Sequence, residues 1–369
     1  MPPPCIYLPS NNHSSIGIYI TAAFSTLKAE AHPLPMLQPR NIYLMNSDLN
    51  KSPRNPATNS PARPENMPDF IIFGTAKSGT TAFHRALGRH PQIFTTTPKE
   101  PNFFKYPERL SPTNEDVGND DIQTESAYQS LFHNVPKSQI RGEASVTYFH
   151  QNHPPKRIYE SLPHVKLIVI LRQPVDRAYS SWCHARHHFG EPIDNFLTAC
   201  KAGSERNLTG GQESNYYLDT GYYARHLREW FAFFPRDQFK IFLYEDWQET
   251  PEEVLRETCD FLGISPSTSI PITRDNVTSI RRRFAWLHPF ASPSRNLRAL
   301  VHRIFPPVVR SCVTRFLRLI NEGEKAPPLD ASVRAELTAR FETDMTELET
   351  LINRDLTHWR APRTPPAQS

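Results

Sequence analysis

Five short apolar runs recur along the middle of the chain, each giving way to a turn or to a helical pattern. Phe70-Ile71-Ile72-Phe73 stops at Gly74, and Ala82-Phe83-His84-Arg85-Ala86-Leu87 then has the spacing of a helix. Gln92-Ile93-Phe94-Thr95-Thr96-Thr97 is β-prone, and Ile140-Arg141-Gly142-Glu143 opens another strand-to-loop passage. Val165-Lys166-Leu167-Ile168-Val169-Ile170-Leu171 is almost unbroken apolar sequence, the pattern of a parallel strand covered on both faces. Phe239-Lys240-Ile241-Phe242-Leu243-Tyr244 reads as a strand between two helices, one predicted over Tyr222–Phe234 and one over Pro251–Leu262, the latter closed by Gly263. Strands separated by helices predict an α/β fold, a parallel β-sheet wrapped by helices. Beyond it, residues 284–360 read as helical, most clearly over Ala331–Ile352. There Val333, Leu337, Phe341, Met345, Leu348 and Ile352 form a core-facing stripe and Asp330 is placed to cap the first turn.

The pattern also predicts the domain limits. Residues 1–67 are rich in Pro, Asn and Ser without sustained periodicity, which predicts a disordered or low-complexity arm ahead of one folded unit over 68–360 and a flexible tail over 361–369. Residues 105–125 are polar and turn-rich, a surface excursion. No segment approaches the 18 apolar residues of a membrane span, and the short patch Ile16–Phe24 lacks the basic lead of an export signal, so a soluble, cytoplasmic protein is expected. The cysteines are scattered without a C-x-x-C pair, as expected of reduced thiols. A net charge of +4 suits an anionic ligand but is too small and too dispersed for a nucleic-acid binder.

The loop after the first strand, Gly74-Thr75-Ala76-Lys77-Ser78-Gly79-Thr80-Thr81, has the form of a phosphate loop. Its backbone N–H groups and those of the helix start have no partner inside the helix, and the helix dipole adds positive potential. A nucleotide triphosphatase loop places its lysine after the second glycine and a Ser/Thr on Mg²⁺. Here Gly74 and Gly79 keep that spacing, but Thr80 stands at the lysine position and Lys77 lies inside the loop. An anion without a magnesium-bridged phosphate chain, and no metal, is therefore expected. The competing readings are a P-loop kinase or other triphosphatase, and a nucleotide-binding protein without turnover. His184, His187 and His188 lack acidic or cysteine partners at ligand spacing, which predicts a solvated helix face rather than a zinc site.

A second constellation follows the strongest strand: Arg172-Gln173-Pro174-Val175-Asp176-Arg177-Ala178-Tyr179-Ser180. Open α/β sheets bind ligands at the C-terminal ends of their strands, where Arg172 is placed. Pro174 starts a helix on which Arg177 and Ser180 share a face. Arg172 and Ser180 can thus hold a second phosphate, giving one ligand with two separated phosphates.

These two elements, in order and about a hundred residues apart, resemble the signature elements of sulfotransferases that use 3′-phosphoadenylyl sulfate. The likeness extends through Pro98-Lys99-Glu100-Pro101-Asn102-Phe103-Phe104, similar to a loop of the heparan-sulfate branch, and through Gly221-Tyr222-Tyr223-Ala224-Arg225-His226-Leu227-Arg228-Glu229-Trp230. It implies the three-layer, P-loop-like sandwich of that family. It implies that Lys77, Ser78, Gly79, Thr80 and Thr81 hold the 5′-phosphosulfate, that Arg172 and Ser180 hold the 3′-phosphate, and that Glu100 is the base; for Glu100 the other reading is a surface carboxylate paired with Lys99. Lys77 is then the cation at the leaving phosphate, and adenosine 3′,5′-bisphosphate is the product. Arg281-Arg282-Arg283 is either a basic loop on the 3′-phosphate, with Arg282 taken as the contact, or an ordinary charged turn. Lys99 and Glu143 are placed toward the acceptor; for Glu143 the other reading is a satisfied carboxylate near the sheet edge. Tyr222 and Tyr223 are expected in the core rather than against adenine. Ala144 stands where the heparan branch often has a lysine, which favours a soluble bacterial-type enzyme acting on a small-molecule, lipid or saccharide acceptor.

Overall fold

In the computed structural model, residues 65–106, 121–189, 191–209, 217–266 and 326–361 are described. The N-terminal arm up to residue 64, the segment 267–325 with Arg281, Arg282 and Arg283, and the tail from 362 lie outside them. All five predicted strands form: β1 (Phe70–Gly74), β2 (Ile93–Thr95), β3 (Ile140–Ala144), β4 (Lys166–Leu171) and β5 (Phe239–Leu243). They make one sheet in the order β2-β3-β1-β4-β5, and every neighbouring pair is parallel. The two central strands, β1 and β4, are the most apolar, because both of their faces are covered.

Alternation along the strands splits the interior into two layers. Phe70 and Ile72 of β1 and Ile168 and Ile170 of β4 face one way, toward Phe83, Leu87, Trp247, Val254 and Leu255. Those residues come from α1 (Thr80–Leu87), α7 (Tyr244–Glu249) and α8 (Pro251–Leu262). Ile71 and Phe73, with Leu167, Val169 and Leu171, face the other way, toward Val175, Ala178, Tyr223, Leu227, Trp230, Leu337 and Phe341. The helices on that side include α4 (Pro174–His188), α6 (Tyr223–Phe231) and α9 (Ala331–Ile352). The smaller helices α2 (Glu125–Ser130), α3 (Pro154–Ser161), α5 (Phe196–Thr209) and α10 (Thr357–Arg360) complete the described part. Helices on both faces of a parallel sheet are the expected three-layer sandwich. Gly142 in β3 has a packing reason: a Cβ there would meet the Phe70 ring at 2.0 Å.

The helix ends follow local chemistry. α9 has the predicted bounds, and the Asp330 carboxylate accepts from the amides of Ser332 (2.8 Å) and Val333 (3.3 Å). α8 ends at Gly263 in the left-handed conformation (φ 78°). α6 is shorter than predicted: after Phe231 the chain turns, with the Phe233 and Phe234 amides both bonded to the Trp230 carbonyl, ahead of Pro235. α9 is tied to α6 by Asp344, whose carboxylate accepts from the amides of Ala224 (3.1 Å) and Arg225 (3.2 Å). A side-chain cap of this kind contributes about 1 kcal/mol. Arg334 of α9 pairs with Asp176 in the first turn of α4. Among the described residues no helix is long and apolar enough to cross a membrane.

Candidate active site

The C-terminal ends of β1, β3, β4 and β5 deliver four segments to one edge of the sheet: the loop 75–79, the segment 145–150, Arg172, and α7. The ladder between β1 and β4 slips between Ile72 and Gly74, as at a β-bulge. The slip brings Thr75 beside Ile170, whose carbonyl accepts both the Thr75 amide (3.0 Å) and the Thr75 hydroxyl (2.9 Å). Ser78 Oγ lies 2.7 Å from Thr75 Oγ1. The one Thr75 hydroxyl proton is committed to Ile170, so the Ser78 hydroxyl is the donor to Thr75. The Ser78 amide also turns inward, to the Thr75 carbonyl at 3.3 Å. Ser78 is therefore a brace of the loop, and its expected role as a phosphate donor is corrected: both of its polar groups are used inside the turn.

What faces outward is the start of α1. Its N-cap, Gly79, is left-handed (φ 78°), and no side chain caps the helix. The first-turn amides are thus left for an external anion. A Cβ at Gly79 would lie 3.1 Å from both Tyr244 and Trp247, so glycine serves the backbone conformation and the close aromatic wall at once. Thr80 is buried and Thr81 exposed beside these amides.

Lys77 is half-buried, also with positive φ (70°). Among the described residues no carboxylate forms an ion pair with its ammonium. Burial first, and then the like charge of Arg172, hold its pKa down to about 8. Arg172 donates through Nη1 to the Lys77 carbonyl (2.9 Å), stacks its guanidinium over the Tyr244 ring (4.6 Å), and keeps Nε buried without a partner among the described residues. Its carbonyl is held by the Tyr223 hydroxyl at 2.7 Å. The two anion-binding elements, 95 residues apart in sequence, are therefore in contact, and Arg172 belongs to the edge of the first as well as to the second. Ser180 is buried on α4. Arg177 is no surface partner for it: its guanidinium turns into the core and donates to the Tyr217 carbonyl.

Glu100 comes from the loop after β2, with φ 65°, and its amide is bonded to the Ala144 carbonyl at 2.8 Å. Its carboxylate is paired with Lys99, and both side chains are partly exposed at 33% and 17%. The negative charge of Glu100 is one of the lesser influences on the Lys77 ammonium and favours its protonation. Lys99 is turned to Glu100 and donates to its carboxylate. Glu143 does not reach an acceptor. It is fully buried on a strand inside the sheet rather than at its edge, and accepts from the Ser145 hydroxyl at 3.0 Å. Tyr223 is fully buried and Tyr222 packs on Phe341 (4.9 Å), in the core as expected. Among the described residues no group of three or more His, Cys, Asp or Glu side chains is arranged to hold a metal ion. Thr75, Tyr244 and Trp247 were not legible as site residues. Thr75 shows itself only as a hydroxyl between two loop glycines, and the two aromatics only as neighbours of a strand end.

Among the described residues, half-buried cations without ion-paired carboxylates, a helix start without a side-chain cap and a guanidinium nitrogen without a partner fit a multiply charged phosphate ligand. A protein-family model described as Sulfotransferase domain matches residues 67–349. The bifunctional heparan sulfate N-deacetylase/N-sulfotransferase 2 of Homo sapiens is 32% identical over 208 residues, covering 55% of this chain and 22% of that protein. The protein of the same name from Mus musculus is 30% identical over 297 residues, covering 79% of this chain and 30% of that protein. The chain thus spans less than a third of these relatives. A solved structure, the sulfotransferase from Alicyclobacillus acidocaldarius, is 29% identical with a TM-score of 0.60, covering 80% of this chain and 99% of that one.

Proposed function

This chain belongs to the sulfotransferase domain family, and from that premise we propose that it transfers the sulfuryl group of 3′-phosphoadenylyl sulfate to a hydroxyl or amine of a saccharide or another small acceptor. The observation that carries the reading is that Lys77, a half-buried cation with no carboxylate ion-paired to it among the described residues, feels the charge of Glu100 from the neighbouring loop.

The chemistry follows from where charge moves. The acceptor oxygen or nitrogen forms a bond to sulfur as the bridging S–O bond breaks. The acceptor's proton leaves to the Glu100 carboxylate, and negative charge appears on the departing 5′-phosphate. Lys77 and the first-turn amides of α1 meet that charge, while Arg172 holds the phosphate at the far end of the donor. Water is displaced as the donor covers Lys77, which strengthens each of these contacts.

The saccharide acceptor is supported by the heparan sulfate named in the relatives. Ala144 at the end of β3 brings no cation to that side of the site, which favours an acceptor of lower charge than a sulfated polysaccharide. A kinase-like reading is not favoured: Thr80 occupies the position of the catalytic lysine, and Arg172 rather than a magnesium-binding aspartate ends β4. Calorimetry decides between them. Adenosine 3′,5′-bisphosphate is expected to bind tightly with or without Mg²⁺, and a preference for ATP with Mg²⁺ would overturn the proposal.

A further inference from the structure

We propose that Glu143 is a positioning residue that holds the loop bearing Glu100, acting through Ser145 and the backbone of Asn102. The inference rests on Glu100 being the base, and it replaces the expectation that Glu143 meets the acceptor.

The loop 98–104 is pressed onto the segment that follows β3 by four hydrogen bonds. The Glu100 amide donates to the Ala144 carbonyl (2.8 Å), the Asn102 amide to Ser145 Oγ (3.1 Å) and the Phe104 amide to the Tyr148 hydroxyl (3.1 Å). In return Thr147 Oγ1 donates to Asn102 Oδ1 (2.8 Å). Ser145 can accept from Asn102 in a fixed direction because its own proton is committed to Glu143 Oε2 at 3.0 Å. Without that acceptor the Ser145 hydroxyl is free to rotate. The loop needs such an anchor, since Glu100 and Asn102 both have positive φ (65° and 54°), a conformation that L-residues hold only where the surroundings impose it.

The carboxyl is suited to the task by being neutral. It is fully buried with no cation bonded to it among the described residues, and Oε1 has no hydrogen-bond partner there. The hydroxyls of Tyr128 and Tyr148 face it, and the charge of Glu100 acts on it. Burial pushes its pKa up to about 8 against the lowering effect of the hydroxyls of Ser145, Tyr128 and Tyr148, with the Glu100 charge a last, small contribution upward, so at pH 7 the protonated form is favoured. An ionised Glu143 would repel the base it supports. A neutral carboxyl accepts from Ser145 without that repulsion, and glutamine would do the same.

The test uses the full chain and two readouts: amide hydrogen exchange over residues 98–104, and steady-state kinetics with saturating donor. Glu143→Ala is expected to speed exchange at Asn102 and Phe104 and to lower kcat on the order of ten- to a hundredfold, with donor KM unchanged. Glu143→Gln is expected to restore both. Ser145→Ala removes the same link at smaller cost to the core and reports the same pattern should Glu143→Ala not fold. Unchanged exchange in the alanine variants would overturn the clamp. Faster exchange with intact kcat would overturn its bearing on turnover, and failure of Glu143→Gln to rescue would overturn the role of the neutral carboxyl. Full turnover by Glu100→Gln would instead remove Glu100 as the base, leaving the exchange result to stand on its own.

Discussion

Two loops meet at the same edge of the sheet, and each presents a reactive side chain from a residue with positive φ: Lys77 at 70° and Glu100 at 65°. They are held in different ways. The first is braced mainly by its own residues, Thr75 and Ser78, and tied to the β4 side by two hydrogen bonds from Thr75 to the Ile170 carbonyl and one from Arg172 to the Lys77 carbonyl. The second is held from outside, by Ala144, Ser145, Thr147 and Tyr148 about 40 residues further along the chain. Their electrostatics also differ. Among the described residues Lys77 has no carboxylate partner, which suits it to an incoming anion, whereas Glu100 is already paired with Lys99. The cationic loop is thus arranged for binding and the carboxylate loop for turnover, so substitutions in the two should separate affinity from rate.

The largest separation is expected from Glu100→Gln. Loss of a general base should lower turnover on the order of a hundredfold or more, with binding of adenosine 3′,5′-bisphosphate nearly unchanged. Near-normal turnover would take Glu100 out of its role, and an equal loss of binding would erase the distinction between the loops. Lys77→Met comes next and should act on both quantities. Removing one group that meets developing charge costs roughly a hundredfold in kcat, and here nucleotide binding should weaken in parallel. Single-turnover rates with saturating donor, set beside calorimetric affinities, distinguish the two patterns.

The same contrast explains how much could be read from the chain. The cationic loop is a local object: two glycines, one lysine and a following helix fix its form, so the strand–loop–helix passage is legible within one short stretch. The strands were legible for a similar reason, because β1 and β4 are apolar on both faces, and α9 because its stripe and Asp330 lie in one segment. Glu143 was misplaced because its burial depends on β1 to one side and β2 to the other, which no local pattern reveals. Helix spacing puts Arg177 and Ser180 on one face and both are buried, but spacing alone does not show that the Arg177 guanidinium is bonded to the Tyr217 carbonyl 40 residues away. The loop pattern predicts a Ser78 amide offered to the phosphate, and only the three-dimensional turn shows that amide bonded to the Thr75 carbonyl and the hydroxyl beside Thr75 Oγ1.

A smaller effect is expected from pH. In the ligand-free protein Lys77 loses its proton above about pH 8, because burial and Arg172 lower its pKa from the usual lysine range. A phosphate ligand favours the cation, so binding above that pH must take up a proton. Affinity for adenosine 3′,5′-bisphosphate should be flat below about pH 8 and fall by about tenfold per unit above it. Calorimetry in buffers of different ionisation heat measures the proton directly. Lys77→Met should abolish both the uptake and the fall, and a wild-type affinity that stays flat to pH 10 would show that Lys77 is not the group whose charge the ligand needs.

The smallest effect, and the one that joins the two loops, is expected from Lys99→Ala. Lys99 is bonded to Glu100, but its positive charge also acts on Lys77, where it is the last and weakest of the influences on the ammonium and opposes protonation. Removing it should have two consequences of known sign. Lys77 will keep its proton to a slightly higher pH, so the alkaline fall in nucleotide affinity should move upward by a fraction of a unit. Glu100 will lose a partly exposed ion pair of the kind worth about 0–1 kcal/mol, so kcat at pH 7 should change by no more than about fivefold. A loss of affinity at pH 7 comparable to that of Lys77→Met would instead make Lys99 a ligand contact, and the cationic site would extend into the carboxylate loop.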